Sequence, residues 1–190
     1  MSLTRPIAVV TVAGLAGIAL AVLAGCKDER VRVYDAPKDR RIVWTLPAGW
    51  QAVANPEPSP GRYATLRAGE DPDAPRVEVS VWPDIGMMAD PLANLNRWRA
   101  QLQLPSIGAD QLLTQLDPVV TADQTGGYVA DLLSAEPATG GPPRRLVAVM
   151  LMRPGHVWFV KVLGPQPAVD TVRDDLLTFV QSFAFQEGRP

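Results

Sequence analysis

Short runs in which apolar and polar residues alternate recur along most of this chain. They are punctuated by proline and glycine, and each run predicts a strand. Ile42, Trp44 and Leu46 alternate with Val43 and Thr45 and end at Pro47-Ala48-Gly49-Trp50. Residues 62–67 form a second short run. Val77, Val79 and Val81 alternate with Glu78, Ser80 and Trp82, the pattern of an antiparallel strand with one face on a core. Residues 128–133 and 146–152 follow, and the latter, apolar on both faces, belongs inside a sheet. Arg153-Pro154-Gly155-His156 then turns the chain into residues 157–163. Proline presets a negative φ and glycine accepts a positive one, so the two strands joined here should form the sheet's middle hairpin.

In two places the period changes from that of a strand to that of a helix. Asp90-Pro91 supplies an N-cap carboxylate and a first-turn proline, followed by Leu92, Leu95, Trp98 and Leu102 on one face; the helix should stop before Pro105. A second helix is predicted over residues 167–183, with Val169, Val172, Leu176, Phe179, Val180 and Phe183 forming its buried stripe. Residues 107–116 are a candidate short helix, and residues 51–61, 68–75 and 134–143 are loops. The order of elements predicts an α+β fold, a mostly antiparallel sheet of about six strands flanked by helices.

Composition changes the picture at the beginning of the chain. Arg5 precedes an uncharged run over residues 6–22, which ends in Leu23-Ala24-Gly25-Cys26. A cationic start, an apolar stretch and small residues at its end read as an export signal. The last four residues resemble the lipobox of bacterial lipoprotein precursors. That resemblance implies cleavage before Cys26, diacylglycerol on its sulfur and a further acyl chain, such as palmitate, on the new amine. Cys26 is the single cysteine of the chain, so lipidation would also remove an otherwise unpaired thiol. Several acyl chains make a lasting membrane anchor. Lys27, not aspartate, follows the cysteine, which by the same resemblance implies the periplasmic face of the outer membrane where an envelope has two membranes.

The expected organisation is therefore a signal peptide over residues 1–25, a lipidated N-terminus and tether over 26–40, and one domain over 41–186. As a flexible coil, the tether would span about 20 Å. The chain of 190 residues carries 18 Lys and Arg against 20 Asp and Glu, a net charge of −2, which gives nucleic acid no bulk attraction.

Candidate chemistry is sparse. The single histidine, His156, sits beside the turn at Gly155, and no G-x-S-x-G, S-x-x-K or nucleophilic cysteine accompanies it. No histidine pair supports a metal site, and Asp71-Pro72-Asp73 has proline where a calcium loop must curl. Met87-Met88 and Met150-Leu151-Met152 read as packing, not as soft-metal ligands. No cofactor is implied. The first helix offers most: Asn94, Asn96, Arg97, Arg99 and Gln101 lie in a stretch without acids. Their guanidinium forks and amides suit an acidic peptide, a glycan or a lipid headgroup. Trp82 and Asp84, just upstream, would form one wall of a groove. The alternative is intramolecular, with Arg97 or Arg99 pairing with Glu78 or Asp84 or capping loop carbonyls, and Trp98 in the core.

The segments Trp44-Thr45-Leu46-Pro47-Ala48-Gly49-Trp50, Val77-Glu78-Val79-Ser80-Val81 and Asn96-Arg97-Trp98-Arg99-Ala100-Gln101-Leu102, with the closing amphipathic helix, resemble the PsbP-like superfamily. They are similar in particular to bacterial lipoproteins of that type. The resemblance implies an α/β/α sandwich and a non-enzymatic docking or assembly role for another envelope protein. The competing expectation is a small-ligand or lipid-binding module with its pocket between the first helix and the sheet.

Overall fold

The computed structural model describes residues 31–35, 40–54, 60–135 and 141–187. Its centre is a seven-stranded antiparallel sheet built from β3 (Trp50–Val53), β4 (Arg62–Ala68), β5 (Arg76–Pro83), β6 (Asp117–Val120), β7 (Gly126–Leu133), β8 (Arg144–Arg153) and β9 (His156–Pro165). The spatial order is β3-β4-β5-β9-β8-β7-β6. The Pro154-Gly155 turn does join the middle hairpin, with Arg153 opposite His156 and Val149 opposite Val160. Residues 146–150 of β8 are buried on both faces, as their unbroken apolar run requires.

Two strands sharpen the sequence reading of this sheet. Residues 51–53, read as loop, pair with β4, and Asp117–Val120 adds an edge strand that its proline hid.

On one face of this sheet lies a second, three-stranded sheet, β1 (Val31–Asp35), β2 (Arg40–Thr45) and β10 (Ala184–Glu187), with β2 in the middle. Ile42 and Trp44 therefore belong to a strand outside the main sheet, and Val31–Asp35, within the expected tether, pairs with β2. Beside this sheet lie α2 (Gln166–Asp170) and α3 (Arg173–Gln181). They replace the single helix expected over 167–183. The break falls at Thr171, whose hydroxyl donates back to the Ala168 carbonyl, and the Val172 amide reaches Val169 by a tighter three-residue turn.

The apolar stripe crosses the break intact: Val169, Val172, Leu176, Phe179, Val180 and Phe183 are all buried. Trp44 meets Phe179 and Phe183 at ring distances of 5.2 Å each. These rings and the Val77, Val79, Val160 and Val162 side chains make the larger core.

The opposite face carries α1 (Pro91–Gln101), which starts where predicted. The Asp90 carboxylate accepts from the amides of Leu92 at 2.8 Å and Ala93 at 3.2 Å, and Pro91 needs no partner for a missing N–H. Leu95, Trp98 and Leu102 pack on Ala130, Leu132, Leu146, Ala148, Met150, Val157 and Phe159, small residues in β7 and β8 leaving room for the helix. Residues 107–116, a candidate helix, yield only a 3-10 segment, Ala109–Thr114, against α1. Among the described residues no helix is long and apolar enough to cross a membrane. The expected signal peptide, the lipobox Leu23-Ala24-Gly25-Cys26 and most of the tether lie outside the described residues.

Candidate functional site

Helix α1 covers β7, β8 and β9 but not the far half of the sheet. On β5, alternation sends Val77 and Val79 into the larger core and turns Glu78, Ser80 and Trp82 to the α1 side. Arg62 of β4 and Lys161 of β9 join them. Between these strands and the side of α1 that carries Arg97, Trp98 and Gln101 lies a groove of about 250 Å³. Its wall at Trp82 depends on Gly61: a Cβ there would stand 2.3 Å from the Trp82 ring, and the backbone φ of +72° is itself a glycine conformation.

Glu78 is shared across the groove, 2.9 Å from the Arg62 guanidinium and 3.6 Å from the Lys161 ammonium. Arg97 is held differently. Its guanidinium donates to Asn94 Oδ1 at 2.7 Å, passes the Met88 sulfur at 4.0 Å and lies 5.7 Å from the Phe159 ring centre, with no carboxylate partner among the described residues. Partial burial against these groups lowers its pKa from the ordinary arginine value.

The predicted site residues thus divide. Trp82, Arg97 and Gln101 line the groove. Asn94, 1% exposed, spends its amide N–H groups on the carbonyls of Met87, Met88 and Asp90 and so positions Arg97. Asn96 clasps Ile107, donating to its carbonyl at 3.1 Å and accepting its amide at 2.9 Å. Arg99 caps the Pro105 carbonyl at 2.8 Å and reaches Gln115 at 3.1 Å. The intramolecular alternative therefore describes Arg99, which caps a loop carbonyl, and Trp98, which is core at 4% exposure; Asn96 is likewise taken up within the chain. Asp84 lies before the helix, its amide bonded to the Gly155 carbonyl.

Sequence reading from the helix alone missed Arg62, Ser80 and Lys161 as groove residues. Lys161 carried a signal: it is the one charge in the otherwise apolar run over residues 157–163.

Ile85 and Met87, 69% and 73% exposed, lie in the link between Trp82 and α1 and present apolar surface there. Met150 is buried beneath α1, a packing residue. Among the described residues no group of three or more His, Cys, Asp and Glu is placed to hold a metal.

No family model and no curated protein matches the sequence. Among solved structures the chain is similar to LpqN of Mycobacterium tuberculosis, which is involved in cell envelope biogenesis. The identity is 13%, 84% of this chain and 93% of that chain are covered, and the TM-score is 0.51. It is also similar to the cyanobacterial PsbP, CyanoP, from Synechocystis, with 17% identity over 93% of this chain and 98% of that one and a TM-score of 0.49. At its identity the likeness to LpqN is one of fold: an antiparallel sheet layered with helices, the α+β architecture that the pattern of strands and helices predicts.

Proposed function

We propose that this chain is a non-enzymatic, lipid-anchored module of the cell envelope that docks another envelope protein through the groove beside α1. The observation that carries this reading is the half-covered sheet. Where α1 ends its cover, Trp82, Arg97 and Gln101 line the groove, and Ile85 and Met87, in the link from Trp82 to α1, are exposed. Aromatic, methionine and arginine side chains are among the residue types enriched at protein interfaces. At about 250 Å³ the groove falls below the roughly 300–1,000 Å³ of sites that engulf a small molecule. Its size favours a projecting segment of a protein over an enclosed ligand.

The envelope location is supported by the export signal and lipobox at Leu23, Ala24, Gly25 and Cys26. LpqN, which shares the fold, works in envelope biogenesis. Lys27 after the cysteine favours the periplasmic face of an outer membrane. Cys26→Ser should leave an unprocessed, unacylated precursor in cells, and a lipid-bearing protein of mature size in that variant would end the anchor assignment.

Docking is tested by placing a photocrosslinking amino acid at Gln101, in the groove, and in a second strain at Asp175, exposed on α3. Gln101 should capture one envelope protein, identified by mass spectrometry, that Asp175 does not, and Arg97→Glu should abolish that capture at equal abundance. Equal captures from both positions, or none from Gln101, would remove the groove as the docking site.

A further inference from the structure

We infer that the groove is a carboxylate-binding shelf and that its occupant is an acidic segment of a protein, an aspartate or glutamate side chain seated against Arg97 and Lys161. This rests on the docking reading and narrows it to one chemistry.

Among the described residues the charges of the groove are unbalanced: Arg62, Arg97 and Lys161 face one acid, Glu78. Glu78 is committed mainly to Arg62 at 2.9 Å and holds Lys161 loosely at 3.6 Å. Arg97 is oriented by an amide and a ring instead of an acid, through Asn94 Oδ1 and Phe159. Because Asn94 is itself fixed by three backbone carbonyls, the guanidinium is already in place before any ligand arrives. A preset planar fork matches a carboxylate, and the resulting charge-assisted hydrogen bonds are about twice as strong as neutral ones. Lys161 stands between Val160 and Val162 in a central strand, where packing alone would favour an apolar side chain on the covered part of that face. Beside these cations, Trp82 and Pro60 offer apolar contact to the methylenes of an acidic side chain.

One feature favours a carboxylate over free phosphate: Glu78 remains within the groove and opposes a doubly charged phosphate more than a singly charged carboxylate. Glu78 is then an internal competitor: a ligand acid must draw Lys161 from it.

The test uses the purified full-length protein and fluorescently labelled hexaglutamate, with hexaglutamine as the uncharged control, inorganic phosphate as competitor and phosphatidylglycerol vesicles as the membrane arm. Hexaglutamate should bind and hexaglutamine should not, with binding weakening as salt rises. Arg97→Gln should weaken it about tenfold, the loss of one charge-assisted contact. Glu78→Gln should tighten it, a change of opposite sign that no loss of folding would produce.

Equal binding of both peptides, no hexaglutamate binding, or weaker binding in Glu78→Gln would overturn the inference. So would phosphate or vesicle binding that depends on Arg97 while hexaglutamate is ignored. If the Gln101 crosslink persists while hexaglutamate fails to bind, the carboxylate assignment falls and docking stands. If hexaglutamate binds but Gln101 captures nothing, the docking reading on which the inference rests falls.

Discussion

Asn94 shows how much one side chain can hold in place. It is 1% exposed, donates to three carbonyls of the link and first turn of α1, and accepts from Arg97. Among buried amides such a role is structural, since every polar atom left without a partner costs free energy. Asn94→Ala strands the Met87 and Met88 carbonyls, while that of Asp90 keeps the backbone amide of residue 94, and it frees Arg97, so we expect a loss of about 2 kcal/mol of stability, read as a lower urea midpoint. Peptide binding should weaken in the same variant although Asn94 lines no part of the groove. A midpoint equal to wild type would mean that water replaces the amide without cost. Gly61 is the other residue on which the groove depends. Gly61→Ala combines a collision at 2.3 Å with the Trp82 ring and a φ of +72°, so it should both destabilise the fold and displace Trp82. Circular dichroism and the fluorescence of the groove-bound hexaglutamate would report the two effects separately.

Among elements, the α2–α3 break is pinned by charge. Asp131 of β7 accepts from Arg145 of β8 at 2.7 and 2.6 Å and from Arg173 of α3 at 2.7 Å, while Arg145 also pairs with Asp170 at the end of α2. Burial pushes the Asp131 carboxyl up, but the hydrogen bonds and charges of Arg145 and Arg173 outweigh it and hold the pKa below the usual aspartate value. A carboxylate whose folded pKa lies below its unfolded value of about 3.9 contributes its full stabilisation above that pH and loses it as pH falls through the folded value. Asp131→Asn should therefore cost about 2 kcal/mol at neutral pH and show a shallower fall below about pH 4, the two stability curves converging in acid. Parallel curves from urea melts across that range would contradict this role. The break was hidden in the sequence because Val169, Val172 and Leu176 keep helical spacing across it, and periodicity records the buried face, not the hydrogen-bond ladder. By contrast, Asp90-Pro91 and Pro154-Gly155 fixed their elements locally and were legible. The strands β3, β6 and β10 were not, because each has only four residues, β6 carries a proline, and β10 takes its register from β2, distant in sequence. The site was legible in the same measure: Trp82, Arg97 and Gln101 come from one stretch of chain, whereas Arg62 and Lys161 reach the groove through sheet pairing.

At the scale of the whole molecule, two sheets must be held together, and the closing strand β10 does much of it. Its Phe185 amide donates to Asp123 in the β6–β7 turn at 2.9 Å, and its ring lies 4.6 Å from the Arg153 guanidinium and 5.2 Å from the Trp158 ring. Arg153 in turn pairs with Asp123 at 2.9 Å. Burial raises the Asp123 carboxyl, and hydrogen bonds from Thr121, Phe185 and Thr125 outweigh it and keep its pKa low, so this joint weakens in acid like Asp131. One residue thus ties the three-stranded sheet, through β2, to a turn at the far edge of the main sheet and to the central hairpin. Phe185→Ala removes the ring contacts and keeps the amide bond; it should cost about 2 kcal/mol, less than a fully buried phenylalanine because the ring is only partly covered. Gln186→Ala, on an exposed neighbour, should change stability by less than about 0.5 kcal/mol. A chain stopped after Phe183 loses the ring, the amide bond and the pairing with β2 together, so its urea midpoint should fall below that of Phe185→Ala. Equal midpoints for the truncated chain and wild type would show that the sheets stay together through Trp44, Phe179 and Phe183 alone. An intermediate result, with truncation matching Phe185→Ala, would assign the whole contribution of β10 to that ring and none to its backbone pairing.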